Sequence, residues 1–154
     1  MAKKAEPEAE LFGLDGDAKI LRLARKKMEK LHLDIRLDEA MAFEMPYPDS
    51  HFDRIVSNLV FHHLTTENKQ RTFREMHRVL RSDGLIAISD FGPPTGRLMS
   101  LISNVMKRFE ETSDNLQGLL SVFAEQAGFV DVLMRDQFNS LFGTIWILRA
   151  KKVS

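Results

Sequence analysis

The chain has 154 residues, and its 22 basic and 22 acidic side chains give a formal net charge of zero at pH 7. This balance argues against a nucleic-acid or anionic-membrane partner, and no apolar run approaches the roughly 20 residues of a membrane span. The chain has no cysteine, which excludes disulfides and Cys-ligated metals and leads us to expect a cytoplasmic protein. The length and the 44% apolar content predict a single domain over residues 1–154.

Strands and one helix alternate in the first half of the chain. Asp17 is placed to cap a helix that runs to about Lys30, because the apolar side chains of this stretch recur at helical spacing. Ile55 and Val56 lie in a stretch that is nearly continuous in apolar character, as expected of a strand covered on both faces. The predicted strands of this half are residues 8–14, buried at Leu11, Phe12 and Leu14, residues 33–37 and residues 54–57.

The second half continues this alternation. Thr65 or Thr66 is predicted to start a helix, with Glu67 in its first turn, and Gly84 to end it. The last two predicted strands are joined by a short loop, which permits only antiparallel pairing. Strands that alternate with helices predict an α/β fold with a parallel sheet. The other predicted elements are strands 85–89, 129–135 and 144–149 and helices 97–109 and 114–127.

Three segments of the first half carry a family resemblance. They are the apolar run from Leu11 to Asp15, which ends in an acid, the segment from Met45 to Asp53 with its two prolines, and the strand from Arg54 to Asn58. Together they resemble class I methyltransferases of small-molecule type that depend on S-adenosylmethionine (SAM), in particular the type 11 group. The resemblance implies a Rossmann-like sheet, mostly parallel and closed by a C-terminal antiparallel hairpin, over residues 8–151.

Asp15 is the first cofactor contact that the resemblance implies, with Gly16 beside it. Ligands of open α/β sheets bind outside the carboxyl ends of the strands. An acid at that place can accept hydrogen bonds from both ribose hydroxyls of a nucleoside. The alternative is a local role, because Asp15-Gly16-Asp17 is also good turn chemistry.

Met41 and Ala42 lie on what the resemblance implies is the adenine side of the cofactor. Many relatives carry an acid five positions before the proline of this segment, and here that position holds Met41. A thioether can pack on the adenine face but accepts no strong hydrogen bond, so contact would rest on packing and on backbone groups. The alternative is that Met41 belongs to the core. Asn58, at the end of its strand, is a further implied cofactor contact.

Two adjacent histidines follow that strand. The resemblance places the segment from Asn58 to Leu64 along the cofactor and acceptor cleft. His62 and His63 are therefore the candidate catalytic residues, one of them as a positioning group or weak base. Packing and helix-start hydrogen bonds are the alternative. Neighbours on an extended chain point in opposite directions, and no cluster of ligands accompanies them, so we expect no metal.

The sequence lacks the glycine-rich loop of the family. Its eight glycines lie at positions 13, 16, 84, 92, 96, 118, 128 and 143, and no two are separated by a single residue. The resemblance implies that the loop would hold the methionine end of SAM and that its strand would lie between the second and fourth strands. We therefore expect an N-terminally truncated domain that binds SAM weakly or not at all and whose open strand edges favour a homodimer.

Two functions from different classes follow from these observations. The first is a SAM-dependent methyltransferase with a small-molecule substrate, impaired or inactive in this form. The second is a non-catalytic interaction or scaffold domain with the same fold, and SAM binding separates the two. An oxidoreductase that binds a dinucleotide would share Asp15, but it would not explain the segment from Pro46 to Asp53 or the terminal hairpin.

Overall fold

The computed structural model describes residues 8–106 and 111–154, and the chain divides into two compact units, Met1–Pro46 and Tyr47–Ser154. Most contacts of each unit are made within that unit. The single domain over residues 1–154 that the sequence led us to expect stays a prediction. Within the described residues, no helix combines the length and the apolar character that crossing a membrane requires.

The first unit is a strand, a helix and a second strand. Strand β1 (Phe12–Asp15) pairs in parallel with β2 (Arg36–Glu39), and helix α1 (Ala18–Leu31) forms the crossover that parallel pairing needs. The helix begins where predicted, because the Asp17 carboxylate accepts a hydrogen bond from the Lys19 N–H at 2.7 Å. The predicted burial of β1 is wrong. Its residues are all half-buried, since in the part of the chain that the structure describes the strand has one hydrogen-bonded neighbour.

The second unit is a mixed sheet packed with helices. Its elements are β3 (Phe52–Asn58), a 3-10 helix (Phe61–His63), α2 (Thr66–Val79), β4 (Leu80–Phe91), α3 (Gly96–Met106), α4 (Ser113–Leu116), α5 (Leu119–Gln126), β5 (Val130–Ser140) and β6 (Gly143–Lys151). The strands lie in the order β3-β4-β6-β5. β3 and β4 are parallel, and β6 runs antiparallel to both β4 and β5. The predicted α/β fold and the terminal antiparallel hairpin are confirmed.

The core of the second unit positions the start of the segment that follows β3. Phe61 is fully buried and packs against Phe73 of α2, with the ring centroids 4.8 Å apart. Burying one such side chain stabilises the fold by roughly 1.5–3 kcal/mol, so Phe61 fixes the 3-10 helix to α2. The side chains that are at most 2% exposed include Phe61, Phe73, Val79, Leu80, Ile86, Ile88 and Leu148.

Helix α2 begins as predicted but ends earlier. The Thr65 hydroxyl accepts a hydrogen bond from the Asn68 N–H at 3.3 Å, which caps the N-terminus. The helix ends at Val79 and not at Gly84, because the chain turns directly into β4 and buries Leu80. Gly84 lies inside β4, where a Cβ would come within 2.5 Å of Leu80 Cγ. This glycine is therefore required by close packing and does not stop a helix.

The predicted helix over residues 114–127 is divided into α4 and α5. Gly118 lies between them with φ +76, a left-handed conformation through which an α-helix cannot continue. The predicted helix over residues 97–109 is confirmed as α3 as far as Met106, and its last predicted positions lie outside the described residues.

The segment that leads into β3 is held by Arg78 at the end of α2. The guanidinium donates to Tyr47 O at 2.7 Å and to Asp49 Oδ1 at 2.9 Å, and it also binds Glu75. Hydrogen bonds to Glu75 and Asp49 raise the pKa of Arg78, so the guanidinium stays charged. Tyr47 packs edge-on against Phe52 with ring centroids 4.8 Å apart. These contacts hold the segment from Tyr47 to Phe52 against the end of α2.

Candidate functional site

The carboxyl ends of β1 and β2 bring together residues that the sequence placed on separate elements. The Ala40 N–H donates to Asp15 O at 3.2 Å, which ties the two strand ends together. A Cβ on Gly16 would lie 2.6 Å from Met41 Sδ, so the Met41 side chain packs directly over this glycine. We call Asp15, Gly16, Met41 and Ala42 the β1–β2 corner.

The Asp15 carboxylate has a local role and retains acceptor capacity. Its Oδ1 accepts the Asp17 N–H at 2.8 Å, so the turn role considered from the sequence is real. The helix cap is Asp17 and not Asp15. Within residues 8–106 and 111–154, the Asp15 Oδ2 has no hydrogen-bond donor. A carboxylate accepts several hydrogen bonds, so the turn and a ribose contact are compatible.

Met41 lies on the surface of the β1–β2 corner. Its side chain is 50% exposed, which excludes the core alternative. The Glu44 N–H donates to Met41 O at 3.0 Å and closes a turn after the corner. The exposed Met41 thioether, packed over Gly16, offers an apolar surface, and the carboxylate of the preceding Asp15 offers an acceptor; these are the groups that bind a base and a ribose. The chemistry of the corner therefore fits the adenosine half of SAM.

Asn58 lies in the second unit, at the carboxyl end of β3. Its side chain is exposed. The next residue, Leu59, has φ +55 and donates its N–H to Ser89 O at 2.8 Å, which keeps the chain beside β4 as the strand ends. The cofactor role of Asn58 stays a prediction.

The two histidines lie on the 3-10 helix, and the prediction that they point in opposite directions is wrong. Their ring centroids are 3.9 Å apart, because the two residues lie in a 3-10 turn and not on an extended chain, where successive side chains point to opposite faces. His62 is 5% exposed, whereas His63 is exposed. Only His63 is thus open to a ligand from solvent. Across the described part of the chain, no group of three His, Asp or Glu side chains could hold a metal ion.

His62 is held by a buried carboxylate at the end of β4. Its Nδ1 lies 2.9 Å from Asp90 Oδ1, and Asp90 is 2% exposed. A carboxylate only accepts hydrogen bonds, so Nδ1 carries the hydrogen in this pair. In a neutral imidazole the lone pair is then on Nε2. Asp90 therefore fixes both the orientation of His62 and its tautomer.

Asp90 also accepts hydrogen bonds from backbone N–H groups at the carboxyl ends of β3 and β4. Its Oδ2 accepts the Val60 N–H at 3.0 Å and the Phe61 N–H at 2.8 Å. Its Oδ1 accepts the Phe91 N–H at 2.8 Å and Asn115 Nδ2 at 3.1 Å. The carboxylate thus joins the start of the 3-10 helix, the end of β4 and helix α4.

The sequence analysis did not identify Asn115 and Lys69 as buried polar residues of this region. Asn115 is 1% exposed and reaches Asp90 of β4 from helix α4, a contact that no sequence spacing reveals. Lys69 is fully buried and its Nζ donates to Glu111 O and to Asp114 Oδ2. Lys69 lies four residues before Phe73, about one turn of α2. Residues at this spacing share a helix face, so the spacing could have predicted that Lys69 lies on the buried face.

A family model described as a methyltransferase domain matches residues 1–88. The demethylmenaquinone methyltransferase of Thermus thermophilus is 31% identical over 121 residues, which cover 79% of this chain and 53% of that protein. That of Deinococcus radiodurans is 32% identical over 100 residues, 65% of this chain and 41% of the relative. The chain spans about half the length of the curated relatives it matches.

A solved structure has the same fold at low identity. A SAM-dependent methyltransferase from Methanosarcina mazei superposes with a TM-score of 0.78 at 16% identity, over 99% of this chain and 86% of that one. This likeness shows the fold alone. The match of the family model to more than half of the sequence shows that the chain belongs to the methyltransferase domain family, among the class I SAM-dependent methyltransferases.

Proposed function

We propose that the chain binds the adenosine part of SAM through the β1–β2 corner and belongs to an enzyme that methylates a small molecule. The observation that carries the proposal is the meeting of Asp15, Gly16 and Met41 at the carboxyl ends of two parallel strands. In this arrangement Asp15 Oδ2 accepts hydrogen bonds from the ribose hydroxyls, and the Met41 thioether packs on the adenine ring. Ala42 contributes backbone groups beside Met41.

The acceptor is proposed to be the ring of a quinol, the reduced form of a quinone, or of a related phenol. The curated relatives are named for demethylmenaquinone, and they match most of this chain at about one-third identity. When bound, SAM supplies an electrophilic methyl group on sulfur. A phenol or quinol that takes this methyl group on carbon or oxygen loses one proton, so a base near the acceptor assists the transfer.

His63 is the proposed contact to such an acceptor, and His62 is its positioning residue. His63 is exposed and its ring packs on that of His62, whose orientation Asp90 fixes. The enzyme then contributes mainly proximity and orientation, with His63 available to take the proton.

Titration calorimetry with S-adenosylhomocysteine tests the cofactor proposal. Asp15→Asn keeps an oxygen for the Asp17 N–H but removes the charge that binds the ribose. A hydrogen bond to a charged group contributes roughly 1.5–3 kcal/mol, so the affinity should fall about tenfold to hundredfold. Asp17→Asn is the matched control, because it changes the same charge at the helix cap, and its affinity should stay within about twofold of wild type.

Two results would overturn the cofactor proposal. One is an Asp15→Asn variant that binds as wild type does. The other is an equal loss in both variants, which would assign the effect to the turn or to general electrostatics. Melting temperatures of both variants show whether either substitution acts through stability.

A non-catalytic interaction domain is the second candidate function. The observation in its favour is strand β3, which has an exposed Val56 and a hydrogen-bonded neighbour on one side only among the described residues. The two candidates differ in nucleoside binding. Absence of any heat with S-adenosylhomocysteine or adenosine at millimolar concentration would favour the interaction domain.

A further inference from the structure

The turn of the terminal hairpin presents two consecutive large apolar side chains to solvent. Leu141 is 88% exposed and Phe142 is 64% exposed, and both lie between the end of β5 and the start of β6. Single apolar residues scattered over a surface are ordinary. Hairpin turns, however, are usually built from Gly, Asn, Asp and Ser, which leave the turn hydrated. The geometry of the hairpin therefore does not explain these two side chains.

Backbone polar groups of this turn bond within the turn. The Ser140 hydroxyl accepts a hydrogen bond from the Phe142 N–H at 3.2 Å and donates one to Gly143 O at 2.8 Å. A protein segment that enters a lipid surface must satisfy its backbone groups internally, because hydrocarbon offers no hydrogen bonds. The turn meets this requirement at Phe142 and Gly143 while its two large side chains point outward.

A second exposed apolar surface lies beside the hairpin, on α3. Leu98 and Leu101 are each 66% exposed and, being three residues apart, share one face of the helix. The Thr95 hydroxyl donates to Asn139 Oδ1 at 3.0 Å, and the Thr95 N–H donates to Thr144 Oγ1 at 3.2 Å. These bonds hold the start of α3 against both strands of the hairpin. The four residues that we call the apolar rim are Leu98, Leu101, Leu141 and Phe142.

The apolar rim lies at the end of the sheet that carries the histidines. Phe91, at the carboxyl end of β4, is the register partner of Ile145 near the start of β6. The hairpin turn precedes Ile145 and so extends beyond this end of β4, where Asp90 holds His62. A surface bound to the rim would therefore face the carboxyl ends of β3 and β4.

The two stretches that form the rim carry almost no charge. Residues 91–106 contain one charged side chain, Arg97, and residues 137–148 contain none. Arg97 is exposed and precedes Leu98, so its guanidinium is placed to bind the phosphate of a phospholipid headgroup. The zero net charge of the whole chain gives no long-range attraction to an anionic surface, but insertion of apolar side chains does not require it.

The small area of the rim favours a lipid surface over a second copy of the chain. The exposed parts of four such side chains amount to roughly 500 Å², less than the about 800 Å² that each partner of a stable protein complex buries. A lipid surface sets no such minimum, because binding grows with each apolar group that is inserted.

We propose that the apolar rim docks the chain on the surface of a phospholipid bilayer. Leu141 and Phe142 enter the boundary between headgroups and acyl chains, and Arg97 binds a headgroup phosphate. In this orientation the end of the sheet with His62 and His63 faces the bilayer. The docking surface goes beyond the proposed methyl transfer and does not depend on cofactor binding.

Flotation of the 154-residue chain with vesicles of phosphatidylcholine tests the proposal. Wild type should float with the vesicles at low and at high salt, because apolar insertion is not screened. The double substitution Leu141→Ser and Phe142→Ser should weaken binding at least about tenfold. Val153→Ser is the matched control, because Val153 is an exposed apolar residue beyond the opposite end of β6, and it should bind as wild type does. A wild type that stays unbound, or a double variant that floats equally, overturns the proposal.

A single attached dye reports directly whether the turn enters the bilayer. The chain has no cysteine, so an introduced thiol is the only site for the dye. An environment-sensitive dye on Leu141→Cys should shift its emission to shorter wavelength when phosphatidylcholine vesicles are added, whereas the same dye on Val153→Cys should not. Equal shifts at the two positions contradict docking through the rim.

Sedimentation equilibrium without vesicles tests the rival occupant, a second copy of the chain. Wild type and the double variant should have the same mass over a range of concentrations, because the rim is too small to hold a dimer. A dimer that the double substitution abolishes would assign the rim to a second copy and overturn the bilayer proposal.

Discussion

Asp90 Oδ1 accepts a hydrogen bond from His62 Nδ1 at 2.9 Å, and both side chains are buried. The same carboxylate accepts backbone N–H groups from Val60, Phe61 and Phe91. Because these donors come from the ends of two parallel strands, the pair holds the histidine segment against the sheet. Asp90 is therefore structural and, if His63 contacts an acceptor, also positions the site.

Replacing Asp90 with alanine should destabilise the fold by about 3–5 kcal/mol, because buried donors lose their common acceptor. Urea unfolding at neutral pH measures the difference. Asp136→Ala is the matched control, since Asp136 is exposed and pairs with Arg149 at 3.4 Å, and its loss should stay within about 0.5 kcal/mol. A similar small loss for Asp90→Ala would mean that water replaces the carboxylate.

The sequence revealed the β1–β2 corner because its residues follow strand ends and stand at short, recognisable spacings. Asp15 ends an apolar run, and Met41 stands at a fixed distance before a proline. Carboxyl ends of adjacent parallel strands meet at one sheet edge, so such positions converge without further information. The cap at Asp17 was also predictable, because capping depends on neighbouring residues only.

The contacts around Asp90 could not be predicted in the same way. Asn115 meets Asp90 across the packing of α4 on β4, and residue spacing does not encode that contact. Gly84 was misread because a glycine after a helix usually marks its end, whereas here the close approach of Leu80 requires it. Val56 was predicted to be covered, but among the described residues β3 pairs only with β4, and Val56 is 77% exposed.

Lys152 should contribute to stability through the C-terminus of α2. Its Nζ donates to His77 O in the last turn of the helix and to Leu80 O just after it, both at 2.8 Å, whereas Arg78 O and Val79 O accept the Ser50 and His51 N–H groups. Lys152→Met should cost about 1–2 kcal/mol. Lys151→Met is the adjacent control, because Lys151 pairs with exposed Asp83, and it should cost less than about 0.5 kcal/mol. Equal costs in thermal or urea unfolding would remove the capping explanation.

His77 should make the fold less stable in mild acid. Burial, and then the charge of Lys152, lowers the pKa of His77 below its usual 6.5, against a smaller opposite effect of a hydrogen bond with the Gly128 backbone. The folded state therefore prefers the neutral ring. Its stabilising contribution is complete above about pH 6.5 and declines as the pH falls through the lowered pKa.

Unfolding free energies at about pH 7.5 and about pH 5.5 measure this effect. Their difference should be smaller for His77→Gln than for wild type, because the variant has no ring to protonate. His63→Gln, at an exposed histidine, serves as the comparison. An unchanged difference in His77→Gln would assign the acid sensitivity to other groups.

The absence of a Gly-x-Gly-x-Gly sequence predicts how ligand affinity depends on the amino-acid end of the cofactor. S-adenosylhomocysteine and methylthioadenosine share the adenosine and thioether groups but differ in that amino-acid end. Since no two glycines of the chain are separated by one residue, backbone N–H groups of such a loop are not available to the carboxylate. The two ligands should therefore bind the 154-residue chain with dissociation constants within about threefold of each other. Each hydrogen bond to the charged amino-acid end would have favoured S-adenosylhomocysteine by roughly 1.5–3 kcal/mol.

Asp15→Asn should weaken both ligands equally, which separates the adenosine contact from the amino-acid contact. S-adenosylhomocysteine binding about a hundredfold more tightly would instead show that other residues hold its carboxylate.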